Sequence, residues 1–184
     1  MRVGAVVLAA GASTRLGEPK QLLTLGGETL LKRAVRVARE AGCSPVVVVL
    51  GASAQSIQGA CDQHDAVIVV NEDWAEGMGS SVRVGVQALK DLDACVVMAC
   101  DMPAVTSAHL QLLMATGEMT ASCYAGRPGV PAYFPVGAFP SLMGLRGDAG
   151  AKGLLRASRL VDLVGGELDI DTVEDLERVR KLFG

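Results

Sequence analysis

The amino-acid sequence predicts a three-layer α/β/α fold, in which a mainly parallel, mixed, Rossmann-like sheet is covered by helices on both faces. Half of the 184 residues are hydrophobic but only 3% are aromatic, so the core must consist largely of aliphatic side chains. The apolar runs are short and rich in β-branched residues, as in strands that are buried on both faces. Amphipathic segments separate these runs, and the alternation predicts right-handed strand–helix–strand units.

Four apolar runs predict the central strands, over residues 3–9, 46–50, 66–70 and 94–99. Between the first two runs, residues 28–41 place their apolar side chains along one stripe. This pattern predicts an amphipathic helix that ends at Gly42. Two more helices are predicted over residues 80–89 and 107–115.

Small hydroxyl residues mark the starts of these two helices. Ser80 or Ser81 is expected to cap the first, and Thr106 the second. Beyond residue 121 the pattern loosens, and a turn-rich segment at 126–131 separates two short strand predictions. The remaining predicted elements are short helices over 136–145 and 150–157, a strand over 160–164 and a charged amphipathic helix over 173–183.

Composition limits the partners of the chain. The net charge of −3 provides no field for gathering nucleic acid or an acidic membrane. No apolar stretch is long enough to cross a bilayer, and Met1 leads almost directly into a strand, so we expect a cytoplasmic protein without a signal peptide. The five cysteines are widely spaced and form no C-x-x-C pair, which argues against a zinc site or a disulfide framework. Cys95 and Cys100 are expected to be buried thiols.

The densest functional signal is the segment LAAGASTRLGEPK at residues 8–20, directly after the first strand. Ligands of parallel α/β sheets bind beyond the carboxyl ends of the strands, and small residues let backbone N–H groups approach an anion. Arg15 and Lys20 add two cations, so the loop predicts a triphosphate cradle. The alternative is a plain turn with solvated cations, which the density of Gly, Ala and Ser disfavours. The spacing of Gly11 and Gly17 fits neither a P-loop nor G-x-G-x-x-G, which disfavours an NAD dehydrogenase.

Two other segments carry candidate chemistry. Residues 71–85 combine a Gly-rich turn with a helix N-terminus that leaves N–H groups free for a ligand, although an ordinary capped loop fits the pattern equally well. Asp101 follows the fourth apolar strand, and carboxylate oxygen is what Mg²⁺ prefers, although the residue could also cap the next turn. Asp169 and Asp171 point the same way if their segment is extended, and Asp171 or Thr172 could instead cap the last helix.

These motifs resemble the NTP-transferase superfamily. The segment L-A-A-G-x-S-x-R-x-G-x-P-K of residues 8–20 is similar to its signature, with Leu16 where Met is usual. W-x-x-G-M-G-S-S-x-R-x-G of residues 74–85 looks like the branch of molybdenum cofactor cytidylyltransferases. The resemblance implies a nucleotide-diphospho-sugar transferase fold in a single domain over 1–184, with a nucleotide-binding half at 1–105 and an acceptor-binding half at 106–184.

The resemblance also implies roles for individual residues. Catalysis is assigned to Arg15, Lys20 and Asp101, and D-I-D-T-V-E-D-L at 169–176 suggests Asp171 beside Asp101 as a metal ligand. The implied nucleotide-binding residues are Leu8, Ala9, Ala10, Gly11, Ser13, Arg15, Lys20, Gly79, Ser80 and Ser81. Segments 126–131 and 147–152 resemble acceptor-binding stretches, although each alone is an ordinary surface turn. They imply Arg127, Gly129, Pro131, Asp148 and Lys152 as acceptor contacts.

The reaction implied by the resemblance is attack of a molybdopterin phosphate oxygen on the α-phosphorus of CTP, with Mg²⁺ or Mn²⁺ and release of pyrophosphate. A molybdoenzyme or its chaperone is the implied recipient of the product. The alternatives are a guanylyltransferase of the same cofactor using GTP, a cytidylyltransferase of another small phosphorylated acceptor such as methylerythritol phosphate, and a non-catalytic carrier of the pterin cofactor. A carrier would need no metal-holding Asp101. His64 and His109 are expected in solvated or capping roles.

Overall fold

The structure is a computed structural model that describes residues 1–59 and 66–183. Its strands are β1 (Val3–Ala9), β2 (Thr24–Leu25), β3 (Glu28–Thr29), β4 (Val46–Leu50), β5 (Val67–Val70), β6 (Ala94–Ala99), β7 (Thr120–Tyr124), β8 (Arg127–Pro135) and β9 (Arg159–Asp162). Its α-helices are α1 (Leu30–Glu40), α2 (Ala54–Gln58), α3 (Met78–Gln87), α4 (Ser107–Met114), α5 (Phe139–Met143) and α6 (Val173–Phe183). The expectations for Cys61 and His64 fall outside the described residues.

Seven strands form one mixed sheet in the order β5-β4-β1-β6-β8-β7-β9. Strands β5, β4, β1 and β6 are parallel to one another. Strand β8 runs antiparallel to both β6 and β7, and β9 runs parallel to β7. The predicted α/β class with a mainly parallel, mixed sheet is therefore confirmed. Because the four parallel strands end at one edge of the sheet, the loops that follow them meet there.

Helices cover both faces of this sheet, as the three-layer prediction requires. Alternate residues of β1 point to opposite faces, and Val6 and Val7 are both fully buried. Val7 belongs to the core under α1 and α4, whereas Val6 belongs to the core under α3 and α5. Helix α3 packs closely on the sheet, because an added Cβ at Gly85 would collide with the side chain of Val6.

The helix starts follow the capping groups. Helix α1 begins at Leu30, two residues later than predicted, because the hydroxyl of Thr29 accepts the Lys32 N–H at 3.2 Å. Thr106 caps α4, as predicted. The prediction that Ser80 or Ser81 caps α3 is wrong. That helix begins at Met78 after Gly77, and both serines lie inside it.

The second half of the chain differs most from its predicted elements. Most of the turn-rich segment 126–131 lies in β8, and the turn itself consists of Ala125 and Gly126, with φ of 49° and 70°. Such positive φ values are typical of tight hairpins. The helix predicted over 136–145 is a 3-10 turn followed by α5, and that predicted over 150–157 is a 3-10 helix at Leu154–Ala157.

Helix α6 packs on the β2–β3 hairpin in a third small core, which joins Leu176 and Val179 to Leu23 and Leu25. A reciprocal cap fixes its start: Asp175 N–H donates to Thr172 Oγ1 at 3.2 Å, and Thr172 N–H donates to Asp175 Oδ2 at 2.9 Å. The capping role thus belongs to Thr172 and not to its neighbour. Among residues 1–59 and 66–183, no helix has the length and apolar character needed to span a membrane.

Candidate active site

The ammonium group of Lys20 lies between two carboxylates from distant parts of the chain. Its Nζ is 2.5 Å from Oδ2 of Asp101, just beyond β6, and 3.0 Å from Oδ1 of Asp171, just before α6. The Arg15 guanidinium reaches the other oxygen of Asp171 at 3.0 Å. The structure therefore brings together four residues that the sequence singles out in three separate motifs.

Asp169 is a third carboxylate at this place, and the sequence-based metal assignment omitted it. One carboxylate oxygen from each of Asp101, Asp169 and Asp171 lies within 4.8 Å of the other two. The alternate spacing of Asp169 and Asp171 predicted that they point the same way, and their convergence confirms it. Carboxylate oxygens in this number suit a divalent cation such as Mg²⁺ or Mn²⁺.

The charges of this cluster stabilise one another. Burial disfavours the charged form of Lys20, but the carboxylates of Asp101 and Asp171 outweigh it and raise the pKa of Lys20 above its usual value. Partial desolvation raises the pKa of Asp169, and the negative charges of Asp101 and Asp171 add to the effect, although Asp169 as a whole is exposed. Lys20 thus stays cationic at neutral pH and neutralises part of a strongly negative cluster.

The glycine-rich loop is held by residues that follow it. Ser13 adopts a left-handed conformation with φ of 52°, and its Oγ accepts the Lys20 N–H at 3.1 Å. Leu8 and Ala9 belong to β1 and Ala10 follows it, and all three are buried. Their side chains therefore fill the core, so only their backbone groups can meet a ligand.

The hydroxyls of Ser80 and Ser81 are bound within the protein. The Asn71 amide donates to Ser80 Oγ at 2.8 Å and to Ser81 Oγ at 3.0 Å, and all three residues are buried. Because these hydroxyls are held inside the protein, any contact of Ser80 or Ser81 with a nucleotide would have to come from their backbone groups, and the nucleotide-binding role of these residues stays a prediction. Gly79 packs on a later loop, since an added Cβ would lie 2.9 Å from the Gly147 carbonyl oxygen.

Arg83 links this turn to the segment around residue 147. Arg83 on α3 binds the Glu76 carboxylate at 2.8 Å and donates to the Leu145 carbonyl at 2.5 Å. Gly77 approaches Asp148 so closely that an added Cβ would collide with the Asp148 carboxylate. Asp148 therefore lies against the start of α3. Although it belongs to the predicted acceptor-binding half, it contacts a residue of the predicted nucleotide-binding half.

The other expected acceptor residues occupy the hairpin β7–β8 and the segment before β9. Gly129 and Pro131 are buried in β8, whereas Arg127 and Lys152 are exposed. An added Cβ at Gly129 would collide with the ring of Tyr124. Burial, followed by the charges of Asp169 and Asp101, raises the pKa of Tyr124, so this hairpin lies within electrostatic reach of the carboxylates.

His109 has a structural environment, and the expectation of a solvated or capping side chain is wrong. Its Nε2 lies 2.8 Å from Ser122 Oγ, which donates to the Pro131 carbonyl at 2.6 Å. Burial lowers the pKa of His109. Cys95 and Cys100 are buried free thiols, as predicted, and burial raises the pKa of Cys95 to about 12.

The sequence analysis also missed two buried amides beside the candidate site, Asn71 and Gln21. Asn71 binds the serines of α3, and Gln21 donates to the carbonyls of the glycine-rich loop. Asn71 is the first residue of the segment 71–85 and directly follows a predicted strand, and Gln21 directly follows Lys20, but neither amide was given a role. A polar residue at such a position is the signal that could have identified them.

Comparison with known proteins places this geometry in context. Residues 5–163 match the model of the MobA-like NTP transferase domain. The chain is 36% identical to the nicotine blue oxidoreductase of Paenarthrobacter nicotinovorans, over 96% of each protein. It is 32% identical to the purine catabolism protein PucB of Bacillus subtilis, over 96% of this chain and 95% of PucB. It is also 37% identical to a probable molybdenum cofactor guanylyltransferase of Opitutus terrae, over 67% of this chain and 57% of that protein.

Solved structures show the same fold. Rv0371c of Mycobacterium tuberculosis is 33% identical, with a TM-score of 0.84 over 98% of both chains. Its complex with manganese gives a TM-score of 0.82 at 30% identity, over 98% of this chain and 99% of that one. A nucleotidyl transferase of Methanothermobacter gives a TM-score of 0.84 at 27% identity, over 99% of this chain and 97% of that one.

Proposed function

The chain belongs to the family of MobA-like NTP transferase domains and is a nucleotidyltransferase of that family, and we propose that it transfers CMP from CTP to a phosphate of molybdopterin. The fold is of the nucleotide-diphospho-sugar transferase type. The observation that carries the proposal is the convergence of Asp101, Asp169 and Asp171 around Lys20, beside the glycine-rich loop. Nucleotidyl transfer needs such an arrangement of charge more than it needs a covalent catalyst.

The donor set fits a divalent cation. Asp101, Asp169 and Asp171 offer three convergent hard oxygens, and the structurally similar Rv0371c has been solved in complex with manganese. We propose that these residues hold Mg²⁺ or Mn²⁺, which would neutralise negative charge on the triphosphate. The chain's own cations, Lys20 and Arg15, already lie against the same carboxylates.

In the proposed reaction, an acceptor phosphate oxygen forms a bond to the α-phosphorus of CTP. The bond from that phosphorus to the bridging oxygen of the β-phosphate breaks, and the electron pair leaves with pyrophosphate. Lys20 and Arg15 stabilise the charge that accumulates on the leaving group. Removing one such preorganised charge costs about 10²–10³-fold in turnover in other enzymes.

Support for CTP comes from the turn at residues 74–85, which resembles the cytidylyltransferase branch. Because the Ser80 and Ser81 hydroxyls are bound to Asn71, we propose that backbone groups at Gly79 contact the base in their place. GTP is the alternative donor, and the Opitutus relative named as a guanylyltransferase supports it. The Paenarthrobacter relative is named as an oxidoreductase. Because the loop lacks the G-x-G-x-x-G of dinucleotide-binding folds, we do not propose a dinucleotide-dependent redox reaction for this chain.

Support for a molybdopterin acceptor comes from that same relative and from segments 126–131 and 147–152. Arg127 and Lys152 are exposed cations suited to an anionic phosphate, and we propose them as acceptor contacts. Asp148 is a weaker candidate, since it lies against Gly77. The division into a nucleotide-binding half and an acceptor-binding half at residue 105 stays a proposal, in which Asp169 and Asp171 of the second half join Asp101 at the proposed metal site. A molybdoenzyme or its chaperone would receive the product.

The test is pyrophosphate release from purified protein with molybdopterin and each of CTP, GTP, ATP and UTP, with Mg²⁺ or Mn²⁺ added. We expect release with CTP, and a loss of at least 100-fold in Asp101→Asn. Preference for GTP would assign the chain to the guanylyltransferases. A wild-type protein that binds the pterin but is inert with all four nucleotides would be a carrier, and the proposal would be wrong.

A further inference from the structure

Gln21 is a buried amide beside the glycine-rich loop. The residue is only 1% exposed, although glutamine is usually a surface residue. Its Nε2 donates to the carbonyl of Ala9 at 2.7 Å and to that of Gly11 at 3.2 Å. Both donors of the side chain are therefore used to hold the loop.

The other end of the amide has no corresponding partner. Oε1 of Gln21 is buried and accepts no hydrogen bond from the residues that the structure describes. The amide cannot turn over to correct this, because its oxygen would then face two carbonyl oxygens. A buried acceptor without a donor is unfavourable, so stability of the core alone does not explain a glutamine at this position. Rules of local stability are typically broken where a residue serves function.

The two hydrogen bonds determine which way the loop presents its N–H groups. In a planar trans peptide, the carbonyl of one residue and the N–H of the next point in opposite directions. Because the carbonyls of Ala9 and Gly11 point at Gln21, the N–H groups of Ala10 and Ala12 point away from it. Gly11 and Ala12 are exposed, so this side of the loop opens to solvent. The N–H groups of Ala10 and Ala12 therefore face the same side of the loop, where two backbone dipoles directed alike favour an anion.

We propose that Gln21 is a positioning residue that orients the N–H groups of the glycine-rich loop toward the triphosphate of the substrate. The inference rests on the proposed function for the identity of that substrate. Gln21 itself does not contact the ligand, since its donors face the loop carbonyls from inside the protein.

The test replaces Gln21 with methionine, which keeps the length of the side chain but removes both donors and the orphan acceptor. We expect the KM for CTP to rise at least tenfold while kcat changes less than threefold, because the loop holds ground state and transition state alike. The midpoint of thermal unfolding is expected to fall only slightly, because the variant removes the orphan acceptor but also leaves the carbonyls of Ala9 and Gly11 without their donor. A merely structural role would lower this midpoint and leave the KM of the folded variant unchanged. Gln111→Met, an exposed position on α4, is the matched control and should behave as wild type.

Binding of inorganic tripolyphosphate, measured by calorimetry with Mg²⁺, separates this inference from the proposed reaction. If wild type releases no pyrophosphate but Gln21→Met binds tripolyphosphate at least tenfold more weakly, the proposed function fails and the positioning role stands. If folded Gln21→Met keeps both its KM and its tripolyphosphate affinity within twofold of wild type, the positioning role is wrong. Gln21→Glu, which places an acceptor against both carbonyls, should show the same loss and replaces the methionine variant if that one does not fold.

Discussion

Replacing Lys20 with methionine tests whether the carboxylate cluster depends on an internal cation. The Lys20 ammonium is 2.5 Å from Asp101 and 3.0 Å from Asp171, and the Lys20 and Asp101 side chains are 17% and 11% exposed. At an effective dielectric constant of about 20, two unit charges at these distances attract by roughly 5–7 kcal/mol. Desolvation cancels most of this attraction. Removing one partner of a fully buried pair costs about 3–5 kcal/mol, so for this partly solvated pair we expect about 2–3 kcal/mol.

For a domain of this length, that loss lowers the midpoint of thermal unfolding by about 4–12 °C. The assay is urea or thermal unfolding in metal-free buffer, applied to Lys20→Met, Asp101→Asn and the double variant. In the double variant the two losses should not add, with a coupling free energy above about 1 kcal/mol. Added Mn²⁺ should restore Lys20→Met more than wild type, because a cation at the cluster would replace the missing charge.

The control is Lys90→Met, which removes an exposed lysine far along the chain and should change stability by less than about 0.5 kcal/mol. Additive losses for Lys20 and Asp101 would refute the reasoning, because they would mean that the two charges contribute independently. The reasoning would also be refuted if Mn²⁺ stabilised Lys20→Met no more than it stabilises the wild-type protein.

Three further predictions concern the surroundings of the site. Burial lowers the pKa of His109, so the unfolded chain binds a proton at this residue more readily than the folded chain does. The contribution of neutral His109 to stability should therefore be complete above about pH 6.5 and decrease as the pH falls below that value. His109→Gln should reduce this pH dependence of the thermal unfolding midpoint. Gly77→Ala should lower the free energy of unfolding measured in urea. The φ of +120° alone costs a residue with a side chain about 1–3 kcal/mol, and the collision of the new Cβ with Asp148 adds to that cost. Arg83→Gln should raise the KM for nucleotide several-fold in the pyrophosphate assay, since it releases Glu76 and the segment near residue 147 from α3.

The His109 prediction has a second test variant, and the other two predictions have matched controls. Asn is a second substitute for His109, and it should also flatten the pH profile. Gly137→Ala introduces a methyl group into open space and should be neutral or slightly stabilising. Arg36→Gln breaks a surface ion pair with Glu28 and should leave the KM unchanged. A large effect of Gly137→Ala or Arg36→Gln would show that the corresponding site variants act by general destabilisation.

The parts of the fold that the sequence predicts best are those under the strongest constraint. Strands β1, β4 and β6 begin and end at the predicted residues, because burial on both faces requires an uninterrupted apolar run. The start of α3 was misplaced because its N-cap is Gly77, which has no side chain to signal the position. The extent of β8 was hidden by its glycine and prolines, which usually indicate turns.

The candidate site likewise has parts that the sequence predicts and parts that depend on tertiary packing. Lys20, Asp101 and Asp171 each stand in a motif with a recognisable pattern, so they could be singled out individually. Asp171 lies 3.0 Å from Lys20 although the two residues are 151 positions apart in the sequence. This contact depends on how α6 docks, so no local sequence pattern predicts it. The inward direction of the Ser80 and Ser81 hydroxyls likewise depends on Asn71, which lies just after β5 and outside their helix.

The docking of α6 on the β2–β3 hairpin has a consequence for the order of events during synthesis. The segment before this helix brings Asp171 to Lys20, and the small core of Leu176, Val179, Leu23 and Leu25 holds it there. A nascent chain that has emerged only as far as β9 possesses the glycine-rich loop and Asp101 but only one carboxylate of the three. Such a chain cannot assemble the cluster, so its capacity to hold a divalent ion arises only after α6 has been synthesised and has docked on the β2–β3 hairpin.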